Sequence, residues 1–417
     1  MSDKAIIVGV NVQDQENFDH SMIELANLAQ ACEIEVIERV DQNLDMVNRA
    51  LYMGTGKVEE VKNLVQALHA DLVIFNNELS PSQLRNLQQK LDIPILDRTA
   101  LILEIFAKRA RTKEAKLQVE VAKLRYMLPR LIGLHASLGR QGGSAGVSNK
   151  GSGEKKLELD RRRIEDKITE LNKELKELEK DRQVQRKQRS HSGLPLVSLV
   201  GYTNAGKSTL MNALVDIYIQ EEEKKVLEED MLFATLDTSV RKMVLENKKA
   251  FLLSDTVGFI SGLPHSLVKA FRSTLEEIKE ADLLLHVIDY SDPNSDEYIE
   301  VTRQTLQELG AQDIPTIYVY NKADKMLDIL PVVDGEEIYM SAKTKQGLNE
   351  LVTMISQHVF SDYVDCELLI PYDKGYIVSY FNENATVHTV DYVENGTKIS
   401  VNCKQRDYNR YEEYVIK

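Results

Sequence analysis

Residues 195–215, PLVSLVGYTNAGKSTLMNALV, constrain the fold more than any other stretch of this chain. An apolar run typical of a strand leads into the spacing G-x-x-x-x-G-K-S, and a helical pattern follows at once. In such a P-loop the backbone N–H groups close around phosphates, Lys207 neutralises phosphate oxygens and Ser208 ligates magnesium. The sequence therefore predicts an α/β domain with a nucleotide site. Its predicted phosphate-side residues are Gly201, Tyr202, Thr203, Asn204, Ala205, Gly206, Lys207, Ser208 and Thr209.

Three further motifs follow in the order expected of a GTP site. LLSDTVG ends an apolar run with Asp255, which we expect to hold magnesium, and Gly258, whose N–H can contact the γ-phosphate. In NKAD, the Asp324 carboxylate can accept from guanine N1–H and N2–H₂ together, a donor pair that adenine lacks. The sequence thus predicts GTP and GDP rather than adenine nucleotides. The other predicted contacts from these motifs are Thr256, Val257, Asn321, Lys322, Ser341, Ala342 and Lys343.

An acidic stretch, EEEKKVLEEDMLFATLDTSVRKMVLE, separates the P-loop from DTVG. Its length and place are typical of a switch loop that becomes ordered around γ-phosphate and magnesium. Thr235 and Thr238 compete as metal ligands, and we favour Thr235. The predicted magnesium ligands are then Ser208, Thr235 and Asp255, and the predicted catalytic residues are Lys207, Thr235 and Gly258. The loop is also expected to supply nucleotide contacts from Phe233, Ala234, Thr235, Leu236 and Asp237.

Phe259 stands after DTVG, where GTPases of the Ras type have a glutamine that orients the attacking water. A phenyl ring cannot orient water, so slow intrinsic hydrolysis is expected, with help from a partner, a reordered switch or a monovalent ion. The amide of Asn204 could complete the shell of a potassium ion beside the phosphates. It could equally serve only to stabilise the loop, and the residues leave both readings open.

Four segments are expected along the chain. Residues 1–110 alternate strand and helix patterns four times, which predicts a small parallel sheet covered by helices. Within them MGTGKVEE resembles a phosphate loop without the full spacing; a nucleotide site and an ordinary helix start are both open. Residues 191–360 are the expected Ras-like GTPase domain. Residues 361–417, with a turn at Asn395-Gly396, are expected to form a small α+β domain.

Residues 111–190 are expected to form an antiparallel helical hairpin. Helices are predicted over 111–135 and 155–189, and a Gly/Ser-rich loop at 139–156 would form the tip. A helix of ~22 residues reaches roughly 33 Å from its base, so we expect an arm. The second helix carries a heptad seam of about two repeats. The seam residues are Ile164, Ile168, Leu171, Leu175 and Leu178.

Charge is distributed unevenly over the 417 residues. The formal net charge is −14, yet residues 107–190 hold 23 basic and 12 acidic residues, a net of +11 that leaves −25 for the rest. A net charge of −14 would by itself argue against a nucleic-acid partner, but the distribution of charge matters more than the sum, and here one segment is basic on an otherwise acidic body. No apolar run reaches membrane-spanning length and no secretory signal is evident, so we expect a cytoplasmic protein without a membrane partner. Cys32, Cys366 and Cys403 follow no disulfide or metal spacing.

The quoted motifs together resemble the HflX family of ribosome-associated GTPases. The likeness extends beyond the GTPase motifs to GTGKVEE, LSPSQLRNL, the run from DRTALILEIF to RYMLPRL, GEKKLELDRRRI, FATLDT and DTVGFISGLPHSLVKAF, and it spans most of residues 1–360. The resemblance implies a GTPase that binds the large (50S) ribosomal subunit and its rRNA near the peptidyl-transferase region. We expect a monomer, since a seam of about two heptads is too short to favour a stable intermolecular coil. It further implies a role in splitting or rescue of stalled ribosomes, or in subunit biogenesis.

One departure from the family lies at the tip. Family loops resemble GG…RGPGE, whereas this chain has the longer GGSAGVSNKGSGE, with Lys150 and Ser152 in place of Arg and Pro. Arg140, Lys150, Lys155 and Lys156 would carry the charge toward RNA phosphates. The alternative function is a GTP-switched scaffold whose heptad arm assembles proteins or an RNA-modification complex. The short seam and the basic loop favour the ribosome.

Overall fold

The computed structural model describes residues 3–13, 17–138, 150–192, 194–218, 239–245, 249–260 and 276–416, with only the backbone of 132–138, 150–157, 181–192 and 276. The chain forms two compact units. One comprises Met1–Gln188, Glu229–Asp237 and Val257–Glu276; the other comprises Arg189–Glu228, Thr238–Thr256 and Glu277–Lys417.

The first unit contains the expected parallel sheet. Its strand order is β2-β1-β3-β4 and every neighbouring pair is parallel. Buried apolar side chains of the strands, among them Val73 and Phe75 of β3, form one core with those of α2 and α3. The whole β3 segment LVIF is buried, as is typical of a strand in a parallel sheet. The elements are β1 (Lys4–Val12), α1 (Phe18–Ala31), β2 (Glu35–Leu44), α2 (Thr55–Leu68), β3 (Leu72–Phe75), α3 (Pro81–Leu91), β4 (Ile95–Asp97) and α4 (Arg98–Arg109).

The predicted hairpin is formed by α5 (Lys113–Leu138) and α6 (Lys150–Ser192). Leu171 of α6 is buried against Leu117 and Val121 of α5, and an ion pair of 3.2 Å joins Lys113 to Glu174. The heptad residues Ile168, Leu175 and Leu178 pack onto the same cluster. The seam therefore joins the two helices of one chain.

The predicted tip loop was wrong in its second half, since residues 150–156 belong to α6. No proline interrupts this segment, and extending an existing helix adds a hydrogen bond for each residue fixed, without the cost of nucleation. Arg140 lies outside the described residues, and of Lys150, Lys155 and Lys156 only the backbone is described.

Helix α5 is also fastened to the sheet of the first unit. The buried Asp97 carboxylate accepts from Tyr126 Oη at 2.8 Å and from an Arg130 guanidinium nitrogen at 3.1 Å. Arg130 also donates to the Leu79 carbonyl at 2.9 Å and stacks on the Tyr126 ring. Burial, with Asp97 beside it, raises the pKa of Tyr126. We call these contacts the Asp97 latch.

The second unit contains a seven-stranded sheet of order β10-β11-β9-β8-β5-β7-β6. Only β6 and β10 are antiparallel to their neighbours, so the carboxyl ends of the parallel strands meet at one edge. The elements are β5 (Leu196–Val200), α7 (Lys207–Tyr218), β6 (Ser239–Val244), β7 (Ala250–Asp255), β8 (Leu283–Asp289), α8 (Ser295–Leu309), β9 (Thr316–Asn321), β10 (Val332–Asp334), β11 (Glu337–Tyr339) and α9 (Leu348–Val359).

A smaller antiparallel sheet of order β12-β14-β13 ends the second unit and confirms the expected α+β region. The predicted turn at Asn395-Gly396 lies one residue earlier, at Glu394 and Asn395, because Gly396 pairs with Val393 and begins β14. Gly396 has φ +151°, and a Cβ there would lie 2.3 Å from the Ile370 carbonyl oxygen. Among the helices described, none is both long and apolar enough to cross a membrane. The elements are β12 (Tyr363–Ile370), α10 (Gly375–Asn384), β13 (Thr386–Val393), β14 (Gly396–Lys404) and α11 (Gln405–Arg410).

Candidate functional site

The P-loop joins β5 to α7 as the sequence predicts, and two glycines make its path possible. Gly201 has φ +140° and Gly206 has φ +94°, in the region that favours glycine. A Cβ on Gly201 would lie 2.2 Å from the Val287 carbonyl oxygen, and one on Gly206 would lie 2.2 Å from Asn321 Nδ2. The loop thus runs tightly against strands β8 and β9.

The Lys207 ammonium lies inside the loop. Its Nζ donates to the carbonyl oxygens of Gly201 at 3.0 Å and Tyr202 at 2.7 Å. Burial lowers the pKa of Lys207 to about 8, and nearby Asp255 opposes that shift. An anionic phosphate would stabilise the cation that burial disfavours. The Tyr202 ring stacks on Tyr298 of α8, with centroids 3.9 Å apart, which fixes this side of the loop.

Two predicted magnesium ligands meet at the start of α7. Ser208 Oγ donates to Asp255 Oδ2 at 2.9 Å, and Asp255 is fully buried at the end of β7. Hydroxyl and carboxylate oxygens are the hard donors that magnesium prefers, so the pair fits this ion. The next residue, Thr256, ties the strand end to β5, because its Oγ1 donates to the Leu199 carbonyl at 2.6 Å.

Asn321 links the guanine motif to both neighbouring loops. Its Nδ2 donates to the Ala205 carbonyl at 2.9 Å, and its Oδ1 accepts from the Ala342 N–H at 2.9 Å. The P-loop, NKAD and the Ser341-Ala342-Lys343 segment are therefore held together by one buried side chain. Ser341 is buried and accepts from the Thr344 N–H at 3.2 Å.

Lys322 crosses from the guanine motif to the P-loop. Its Nζ donates to the Asn204 carbonyl at 2.8 Å and to Asp289 Oδ2 at 2.8 Å. Asp324 lies exposed in the 3-10 helix Ala323–Lys325. Asn204 has φ +61°, a left-handed conformation that Asn tolerates, and its side chain is exposed.

Comparison with known proteins identifies the family. Residues 19–107 match the family described as GTP-binding GTPase N-terminal, residues 109–189 match GTP-binding GTPase Middle Region, and residues 196–322 match 50S ribosome-binding GTPase. GTPase HflX of Caldanaerobacter subterraneus subsp. tengcongensis is 46% identical over 99% of this chain and 94% of the relative. The chain belongs to the HflX family of GTPases. It binds GTP and GDP and hydrolyses GTP to GDP and phosphate.

A second HflX relative and one solved structure are also similar to this chain. GTPase HflX of Escherichia coli (strain K12) is 37% identical over 95% of this chain and 92% of the relative. A GTP-binding protein from Sulfolobus solfataricus, crystallised with GDP, is 26% identical, covers 86% of this chain and 99% of its own, and has a TM-score of 0.44.

For some residues of this HflX member, the predicted contact with nucleotide or metal stays a prediction. Val257 and Gly258 come directly after Thr256 and group with the first compact unit, and Lys343 is exposed on the loop after β11. The switch-loop residues Phe233, Ala234, Thr235, Leu236, Asp237 and Thr238 lie outside the described residues.

The MGTGKVEE segment begins a helix. Gly54 is the N-cap of α2 and its N–H donates to Gln42 Oε1 at 2.9 Å, while Lys57 pairs with Glu60 at 2.8 Å. These contacts are those of an ordinary helix start, the second of the two readings left open by the sequence.

Asp289, which accepts from Lys322 Nζ, was not among the residues predicted from the sequence. The signal was present, because the apolar run LLLHVI ends in Asp just as LLS ends in Asp255. What the sequence lacked was the pairing of strand ends, which places Asp289 opposite Asn321 in the β8–β9 register.

Proposed function

We propose that this GTPase binds the large (50S) ribosomal subunit and its rRNA near the peptidyl-transferase region. GTP hydrolysis there would drive splitting or rescue of stalled ribosomes, or a step of subunit biogenesis. The match of residues 196–322 to the 50S ribosome-binding GTPase family supports the partner. We expect a cytoplasmic monomer, organised as domains over 1–110, 111–190, 191–360 and 361–417.

The closed seam of the hairpin is the observation that carries this proposal. Leu171 is 2% exposed, and it packs against Leu117 and Val121 of the same chain. Within the described part of the hairpin, the heptad face is thus already covered, and a scaffold that dimerises through it would first have to open the pair. The hairpin's charged surface stays available for RNA.

The positive charge of the hairpin is concentrated in particular segments. Residues 107–138 carry a net +6, the tip segment 139–156 carries +3 and residues 181–190 carry +3, whereas residues 157–180 carry −1. In that near-neutral middle, Arg161 pairs with Glu165 and Arg162 with Glu158 on the helix surface. RNA phosphates should therefore be attracted to α5 and the tip rather than to the middle of α6.

The nucleotide site would carry out the cycle of GTP binding and hydrolysis. With magnesium bound, the ion would neutralise charge on the β and γ phosphates. Ser208 and Asp255 would hold it, joined by Thr235 from the switch loop. The Lys207 ammonium would give up its hydrogen bonds to the carbonyls of Gly201 and Tyr202 and bind phosphate oxygens instead. The Gly258 N–H would contact the γ-phosphate. Since Phe259 cannot orient water, we expect activation by the ribosome or by potassium bound at Asn204.

A salt series with a matched control tests the proposal. Arg140, Lys150, Lys155 and Lys156 are changed together to Ala, and cosedimentation with 50S subunits is measured with a non-hydrolysable GTP analogue. Binding should weaken, and the slope of log affinity against log salt should flatten by as much as ~3 units. GTP binding without subunits should not change.

The control removes the same charge from the near-neutral middle of α6. Arg163, Lys173, Lys176 and Lys180 are changed to Ala, and 50S affinity and salt slope should stay near those of the wild type. Equal behaviour of wild type and tip variant would refute an RNA-directed tip. The alternative scaffold expects self-association that is lost on changes at Leu171 and Leu175.

A further inference from the structure

Asp289 ends strand β8 at the edge of the sheet where the nucleotide motifs meet. Its Oδ2 accepts from Lys322 Nζ at 2.8 Å, and both side chains are largely buried, at 17% and 23% exposure. Its Oδ1 accepts from Ser291 Oγ at 2.6 Å and from the Ser291 N–H at 3.0 Å. The carboxylate is thus held by its own turn and presents its other oxygen to the lysine.

Lys322 needs such a partner because of its backbone. It has φ +59° and stands between the end of β9 and the 3-10 helix Ala323–Lys325, so its side chain leaves the sheet edge from a left-handed backbone. The two described acceptors of its ammonium are Asp289 and the carbonyl of Asn204 in the P-loop. A neutral carbonyl is the weaker of the two partners, since hydrogen bonds between ionised groups are shorter and stronger.

We propose that Asp289 is a positioning residue for the guanine nucleotide and acts through Lys322. By anchoring the ammonium against Asn204, it fixes the lysine stem across the base pocket and joins NKAD to the P-loop before nucleotide arrives. A pocket organised in advance avoids the ordering cost on binding. The effect belongs to nucleotide affinity rather than to the chemical step. This inference rests on GTP binding and is independent of the ribosome.

The experiment compares Asp289→Asn with the wild type in the full chain, without ribosomes and at fixed KCl. Asn keeps the shape but removes the charge, so the dissociation constant for a fluorescent GDP analogue and the KM for GTP should rise about tenfold. The kcat at saturating GTP should stay within twofold. Adding Lys322→Met tests the route, because in that background Asp289→Asn should change affinity less than twofold.

Asp292→Asn is the matched control, because Asp292 lies in the same turn and accepts from the Asn294 N–H at 3.0 Å without contacting Lys322. It should leave affinity unchanged. If Asp289→Asn proves unfolded, Ser291→Ala serves instead; it removes the hydroxyl donor to Asp289 Oδ1 while the backbone N–H remains, and it should raise KM about threefold. A wild-type KM in the folded variant, or a full tenfold effect in the Lys322→Met background, would overturn the proposal.

Discussion

Gly206→Ala separates two roles of this P-loop glycine: it adopts a positive φ, and it leaves room for the Asn321 side chain. Alanine at φ +94° is strained by about 1–2 kcal/mol. Its Cβ would also lie 2.2 Å from Asn321 Nδ2, so Asn321 must move and give up its bonds to Ala205 and Ala342. Those two buried bonds are worth about 1 kcal/mol each.

The two penalties should appear in different measurements. Backbone strain is present with and without nucleotide, so it lowers the free energy of unfolding and cancels in the affinity. Asn321 is displaced in the free variant, whereas nucleotide binding requires it between Ala205 and Ala342; if that binding-competent arrangement lies about 2 kcal/mol higher, the dissociation constant for GDP rises about 30-fold. The melting temperature should fall by only a few degrees.

Fluorescence titration with a GDP analogue and thermal unfolding test this division. Gly310→Ala is the matched control: Gly310 caps α8 at φ +69° with nothing within 4 Å of a Cβ, so strain alone should lower its melting temperature and leave affinity intact. Gly206→Ala should add little in an Asn321→Ala background. A Gly206→Ala protein that binds GDP within threefold of the wild type would show that Asn321 is not displaced from the pocket.

Three further predictions concern single groups of the site. GDP affinity should weaken a few-fold between pH 7 and 9, because the buried Lys207 loses its charge above a pKa of about 8, while Lys207→Met should bind weakly and without this dependence. Asp324→Asn should lose its preference for GTP over XTP in nucleotide competition, since an amide donor replaces an acceptor facing the base N–H groups; an unchanged preference would contradict the assigned base pocket. Asn204→Gly keeps a residue suited to the left-handed backbone but removes the amide, so GTP turnover should no longer be faster in KCl than in NaCl. Persistent stimulation by potassium would rule out the amide as an ion ligand.

The sequence predicted those parts of the site that are local in the chain. Gly201 and Gly206 stand at fixed P-loop spacing and both have positive φ, because a close approach to β8 and β9 demands it. Asp289 could not be found in this way, since its role depends on which strand ends become neighbours in the sheet. Residues 150–156 show a different limit: glycine and serine indicate a loop, yet the segment extends helix α6.

The Asp97 latch determines how much of helix α5 extends beyond its attachment to the first unit. Because Arg130 is tied to Asp97 and Leu79, only eight residues of α5 follow the fastened point, and they extend about 12 Å. A tilt of about 10° would move the end of such an overhang by roughly 2 Å, against roughly 6 Å for a free rod of ~33 Å. The described end of α5 is therefore a short overhang braced by the first unit rather than a free rod, and its direction follows that of the sheet to which Asp97 belongs.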